Sequence, residues 1–224
     1  IARMFANANQ FYMPHTVDFR GRAYTIPPHL SHISSDAARG LLLFAEAKEL
    51  GERGLYWLKV HLANLHGFDK ASMAERAAWT EERVEVIKRA ARSPKTEQFW
   101  RDADEPWQCL AACIELTRAL EHPQGPHRYP CKLPIQQDGS CNGLQHYAAL
   151  GRDPEGAAKV NLAPSERPQD VYRSVADLVQ SRLQEDLKPT STISAEERVV
   201  AAQLVGRVNR KIVKTTVMTN VYGV

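Results

Sequence analysis

Apolar positions recur with the period of a helix over most of this chain and alternate over very little of it. The stretch GLYWLKVHLANLHGF repeats apolar side chains at three and four positions and stops at a glycine, which predicts a packed amphipathic helix. AARGLLLFAEAKEL predicts another, with Ser35 or Asp36 as its cap, and EPWQCLAACIELTRALEH a third. MAERAAWTEERVEVIKRAAR carries opposite charges at helix-neighbour spacing and reads as a helix with a solvated face, the charges from Glu81 to Arg92 standing in water. PSERPQDVYRSVADLVQSRLQEDL has the period of a long amphipathic helix, and the next helix opens with Ser194 and Glu197 in capping-box register. Two stretches depart from this pattern. QFYMPHTVDFRGRAYTIPPHLSH mixes aromatic and β-branched residues with Pro and Gly, which predicts short extended pieces and turns. KLPIQQDGSCNGLQHYAALG predicts a short strand reaching Asp138, a turn through Gly139 to Gly143, and a helix at LQHYAAL. The fold class expected is α+β, predominantly helical with a few short strands.

The last segment, RKIVKTTVMTNVYGV, admits two geometries. As one helix from Glu196 to Tyr222, it sets Arg207, Arg210, Lys211, Lys214, Met218 and Tyr222 on one side and Val205, Val208, Ile212 and Thr216 on the other. As a strand, it alternates Lys211, Val213, Thr215, Val217, Thr219 and Val221, and its β-branched residues favour that state. Periodicity leaves both open. Only the helix gathers a row of cations able to neutralise several oxygens of a polyphosphate.

Composition narrows the field without deciding it. The 224 residues are 43% hydrophobic and 25% charged, as in ordinary globular domains, and no apolar run is long enough to span a bilayer. A net charge of +3 is only mildly basic, so any argument for nucleic-acid binding has to rest on local charge placement. Four cysteines are too few for a disulfide scaffold and suggest a reducing compartment. Cys109, Cys113, His122 and His127 imitate a zinc pattern, but the gap between the pairs is short for a finger, and both thiols fall on one apolar helix face as buried small hydrophobes. Asp138 is followed by a glycine, a frequent turn pair, and a lone carboxylate is a weak Mg2+ ligand without substrate phosphates and water. His146 reads as a hydrogen-bonded core residue rather than a proton donor, and Met218 as packing.

LPIQQDGSCNGLQHYAALG together with RKIVKTTVMTNVYG closely resembles the single-subunit, phage-type DNA-directed RNA polymerases, in wording most similar to their mitochondrial branch. PHTVDFRGRAYTIPPH resembles a third block of that family, and the blocks occur in the family's order. The resemblance implies a partial right-hand fold: a helical palm- and thumb-proximal core over residues 1–130 with the DFRGR block, a palm strand-turn-helix over 131–160, and the start of the fingers over 161–224. It implies that Asp138 is the first catalytic aspartate, binding two Mg2+ ions with help from the Gly139 carbonyl. By the same resemblance Arg210 and Lys214 grip the triphosphate of the incoming ribonucleotide, Lys214 with a catalytic part. Tyr222, followed by Gly223, packs by the sugar and helps select ribose, and Arg20 and Arg22 approach the DNA template and the RNA–DNA hybrid. It also implies RNA as product, a mitochondrial transcription initiation factor as partner, and the mitochondrial matrix as location. The nucleotide-gripping role favours the helix over the strand.

One departure limits these expectations. The family's second catalytic aspartate sits in a His-Asp block that does not occur in this sequence, and Asp18, Asp36 and Asp153 lie in unrelated wording. With Ile1 at the start and Val224 interrupting an element, the chain reads as an excerpt, expected not to polymerise RNA alone. Two alternatives stand beside this reading. A related DNA polymerase would share the Arg, Lys and Tyr-Gly pattern but would place an acidic residue near the 2′ position, where GSCNGLQH offers none. A helical nucleic-acid-binding module would use Arg20, Arg22 and the last cationic face without catalysis.

Overall fold

A computed structural model describes residues 1–137 and 139–222, the side chains of Val221 and Tyr222 excepted. The chain forms two compact units, Ile1–Gln137 and Asp138–Val224. The architecture is predominantly helical with a few short strands, as expected.

The first unit begins with a short helix α1 (Ala2–Phe5) and a hairpin in which β1 (His15–Val17) pairs antiparallel with β2 (Ala23–Thr25). Helix α2 (Asp36–Leu41) follows, then β3 (Lys48–Glu49), α3 (Gly51–His66), α4 (Met73–Glu81), α5 (Val84–Arg92), a 3-10 turn (Phe99–Asp102) and α6 (Pro106–Leu120). A last short strand, β4 (Pro130–Cys131), pairs antiparallel with β3. Leu55, Leu58, Leu62 and Leu65 form one stripe of α3, and Cys109, Ala112, Cys113 and Leu116 one stripe of α6. The two stripes meet Ile87, Ala90 and Trp100 in a single core. This is the period-3.6 pattern of the sequence converted into buried area. Gly67 ends α3 with φ +103°, a conformation glycine adopts without a Cβ penalty. Cys109 and Cys113 are fully buried here, and their mutual hydrogen bond together with burial pushes the Cys113 thiol up, as suits core packing.

Three expectations need correction in this unit. The helix read over AARGLLLFAEAKEL stops at Leu41, with Leu42 extended at φ −87°, ψ 136°. The backbone beyond turns instead to a distant partner: Phe44 N donates to Lys132 O at 2.9 Å and Leu50 N to Tyr129 O at 3.1 Å. Such long-range pairing leaves no mark in local periodicity. Ser35 makes no side-chain cap, and Asp36 caps a different helix, its carboxylate accepting from Trp107 N (2.8 Å) and Gln108 N (3.0 Å) in the first turn of α6. The helix over residues 73–92 is two helices. The face of α4 is not simply solvated, because Arg76 and Thr80 are buried. Arg76 donates to Asn64 Oδ1 and Ala71 O at 2.9 Å each, and Thr80 Oγ1 to Lys59 O at 2.8 Å, which fastens α4 to α3. On α5 the charges do stand outward, with Ile87 and Ala90 inward.

The second unit contains α7 (Asn142–Gly151), α8 (Pro154–Lys159), α9 (Val171–Asp186), α10 (Ala195–Leu204) and α11 (Arg210–Tyr222). Both members of the predicted capping box at α10 are present, Ser194 Oγ accepting from Glu197 N and Glu197 Oε2 from Ser194 N. A small core of Tyr172, Ala176 and Val213, flanked by Val208, Val217 and Met218, packs α11 on α9. The strand expected to reach Asp138 is absent from the described residues: β4 ends at Cys131 and 132–137 has no regular structure. Pro134 offers no backbone donor to a sheet ladder there.

Candidate functional site

The terminal segment is helical where it was ambiguous, and local chemistry explains why. Asn209 Oδ1 accepts from Lys211 N (3.0 Å) and Ile212 N (3.2 Å), capping the first turn of α11. The β-branched threonines satisfy their hydroxyls within the helix: Thr215 bonds Lys211 O, Thr216 bonds Ile212 O and Thr219 bonds Thr215 O, at 2.9 to 3.1 Å. The single helix from Glu196 to Tyr222 is corrected to two, broken at residues 205–209. Gly206 sits there at φ +75°, and Gln180 of α9 clamps the break, its side chain accepting from Gly206 N (3.1 Å) and donating to Val208 O (2.9 Å).

The expected division of faces also changes. Arg207 falls in the break, outside α11, and Ile212 is 51% exposed rather than packed. The packed residues are Val213, Val217 and Met218. At about 100° per residue, these flank the line through Arg210 and Lys214 instead of lying opposite it. The two cations therefore emerge beside the seam with α9, one helical turn apart.

That seam fixes Arg210. Asp170, the N-cap of α9, accepts from Tyr172 N (3.1 Å) and Arg173 N (3.3 Å) through Oδ1, and its Oδ2 bonds Arg210 Nε. Partial burial works against ionisation of Asp170, yet the bond from Arg210 and the two backbone amides outweigh it and hold the carboxyl below the usual aspartate range. The Arg210 guanidinium lies 5.7 Å from the centre of the Tyr172 ring, and Tyr172 donates its hydroxyl to Met218 Sδ at 3.4 Å. Lys214 is exposed and forms no ion pair among the described residues. No acidic residue lies in the first turn of α11. Arg210, Lys211 and Lys214 thus stand at the positive end of the helix dipole, an arrangement that costs the helix stability and favours an anion.

The other predicted residues are placed as follows. Asp138 and Gly223 lie outside the described residues, and of Tyr222 the backbone closes α11. Gly139 is exposed, and a Cβ there would meet the end of the Asn142 side chain in the first turn of α7, which would have to turn aside. Among the described residues no three His, Cys, Asp or Glu side chains group together. A cation at this turn would depend on the hard oxygen donors of Asp138 and Gly139, a donor set that suits Mg2+ completed by phosphates and water. The other aspartates considered have local tasks. Asp18 organises a turn, Asp36 caps α6, and Asp153 caps α8 by accepting from Glu155 N and Gly156 N. His146 is exposed and its side chain makes no hydrogen bond among the described residues, which corrects the core reading.

Arg20 and Arg22 belong to the first unit, in the hairpin loop between β1 and β2. Asp18 Oδ1 accepts from the backbone N of both arginines (2.9 and 3.0 Å), and Oδ2 takes the Arg20 head through Nε and Nη2 (3.1 and 3.0 Å). The Arg22 amide foremost, with the head and amide of Arg20, outweighs the opposing desolvation and holds the Asp18 carboxyl below its usual range. Arg22 is exposed, and Phe19, with the Arg20 guanidinium 5.5 Å from its ring centre, is 97% exposed.

Sequence reasoning missed Asp170, Asn209 and Gln180. Asp170 before an apolar helical run and Asn209 after Gly206 are legible cap signals. The bond from Asp170 to Arg210 spans 40 residues and has no local signature.

A family model described as DNA-dependent RNA polymerase matches residues 48–224. The chain is similar to the mitochondrial DNA-directed RNA polymerase of Neurospora crassa, 54% identical over 100% of this chain and 15% of the relative. It is likewise 54% identical to the mitochondrial DNA-directed RNA polymerase of Mus musculus, over 96% of this chain and 17% of that protein. The DNA-directed RNA polymerase 2, chloroplastic/mitochondrial, of Arabidopsis thaliana is 49% identical over 100% of this chain and 22% of its own length. The chain therefore spans between 15% and 22% of the length of these three relatives.

Proposed function

Since the chain belongs to the DNA-dependent RNA polymerase family, we propose that it supplies part of the catalytic core with which a longer polymerase adds ribonucleotides to RNA 3′ ends on a DNA template. The observation that carries this reading is the N-terminal half of α11: three cations at a positive helix end, one of them, Arg210, anchored by Asp170 and Tyr172. Arg210 and Lys214 bind the phosphates of the nucleotide and neutralise charge on the leaving pyrophosphate. Tyr222 stands eight residues beyond Lys214, about 12 Å along the helix axis, where a sugar follows its phosphates. Small, uncharged side chains after Gly139 leave room for a ribose 2′-hydroxyl.

Magnesium would be held by Asp138 and the Gly139 carbonyl. When bound, it activates the RNA 3′-hydroxyl and stabilises the departing phosphate oxygens. Arg20 and Arg22, with their loop stiffened by Asp18, contact template and hybrid. The palm would comprise the turn at Gly139 with α7, and the fingers would open with α9 to α11. Two relatives are named as mitochondrial enzymes. We read this protein as acting in the mitochondrial matrix with an initiation factor as partner, and as needing a second carboxylate from elsewhere in the polymerase.

Nucleotide affinity tests the reading. Mg2+-dependent NTP binding should weaken on Asp138→Ala and on Lys214→Ala, whereas a bare nucleic-acid-binding module would be indifferent to both.

A further inference from the structure

Asp170 anchors Arg210 in the reading above but has no part in nucleotide binding there, and among the described residues of the second unit it is the carboxylate that bonds α11. Its two oxygens are divided between two helices. Oδ1 is pinned by the Tyr172 and Arg173 amides at the start of α9, and Oδ2 receives Nε of Arg210 at the start of α11. A guanidinium has a planar fork of five donors. With the Nε edge taken, the terminal Nη1–Nη2 edge remains for a bidentate grip on phosphate oxygens. The guanidinium carbon lies over the Tyr172 ring, 5.7 Å from its centre, and that ring is itself only 6% exposed and tied to Met218 of α11. The head is thus held in place while Arg210 keeps 51% of its side chain exposed.

We propose that Asp170 is a positioning residue for nucleotide binding, holding the Arg210 guanidinium by one edge so that its other edge faces the triphosphate. This rests on the reading of Arg210 as a phosphate ligand. The Asp170 charge does not act as a rival anion, because it is already shared between Arg210 and the positive end of α9. Without it, Arg210 has to be ordered by the nucleotide itself. The factor that corresponds to immobilising one long side chain on binding is about two- to tenfold in affinity.

The test uses the full-length polymerase carrying Asp170→Ser, in which serine keeps the helix cap but is too short to reach Arg210. The variant is compared with Arg210→Ala and with the double variant, with NTP KM, kcat and melting temperature measured for each. The expected result is a KM raised two- to tenfold by Asp170→Ser, with kcat and melting temperature little changed, and no further rise when the serine is added to Arg210→Ala. Asp170→Asn keeps the cap with its one oxygen but turns an NH2 donor toward Arg210 Nε, so it should show a rise of similar size and carries the same comparison if the serine variant does not fold. A KM that is unchanged or lowered would overturn the positioning role. So would equal rises with and without Arg210, the signature of a purely structural effect. If Arg210→Ala itself leaves KM untouched, the phosphate-gripping reading of α11 fails and the positioning role falls with it.

Discussion

Replacing Asp36 by alanine should destabilise the first unit far more than an ordinary surface substitution. The carboxylate sits on α2 but closes the N-terminus of α6, where Oδ2 accepts from Trp107 N at 2.8 Å and Oδ1 from Gln108 N at 3.0 Å and Gln108 Nε2 at 3.1 Å. The residue preceding α6, Glu105, provides no side-chain cap of its own. Loss of an N-cap costs about 1 kcal/mol, and hydrogen bonds to a charged group contribute about 1.5 to 3 kcal/mol, so stripping this cap should cost roughly 2 to 3 kcal/mol. Asparagine retains an acceptor but loses the charge that favours the helix end, and should recover about half of that loss. Urea unfolding followed by tryptophan fluorescence measures it, since Trp100 and Trp107 adjoin the cap with ring centres 5.2 Å apart. A loss below about 0.5 kcal/mol on Asp36→Ala would refute the assignment of a shared cap, because any substitution of an idle surface residue falls in that range.

Two further outcomes follow from the same unit. Burial pushes the pKa of His61 on α3 down from 6.5 to about 4, so the folded state excludes a proton that the unfolded chain accepts. Stability from the neutral ring is complete above pH 6.5 and is lost as pH falls toward 4, by on the order of 3 kcal/mol in all; His61→Leu should flatten the unfolding profile by that difference, and identical pH profiles would contradict it. Gly40→Ala should destabilise by about 1 to 3 kcal/mol despite alanine's better helix propensity, because a Cβ there would lie 2.8 Å from the Trp107 backbone, which cannot swing aside; a thermal melt showing a gain would show that α2 and α6 are less closely packed.

Much of the fold could be read from the chain because the information was local. The stripe of Leu55, Leu58, Leu62 and Leu65, the stop at Gly67 and the Ser194–Glu197 box are each written within a few residues of where they act. The errors arose where a distant partner decided. The end of α2 is set by pairing with residues 129–132, and Asp36 left its own helix for α6. At the site, the spacing of Arg210 and Lys214 left helix and strand open, and the resemblance chose the helix. Periodicity nevertheless assigned the packed back to Ile212 and Thr216, because it could not register that α9 covers the flank of Val213, Val217 and Met218. The break at residues 205–209 was legible in Gly206 and Asn209, two punctuation residues outweighed by a continuous apolar rhythm.

The most direct measurement is a paired titration of the full-length polymerase and its Lys214→Ala variant, with Mg2+ and NTP in one series and with template DNA in the other. If α11 holds the triphosphate, loss of one charge-assisted phosphate contact should weaken NTP binding about tenfold or more and leave DNA affinity where it was. Unchanged NTP affinity with weakened, salt-sensitive DNA binding would instead make this helix a nucleic-acid surface and contradict the nucleotide site.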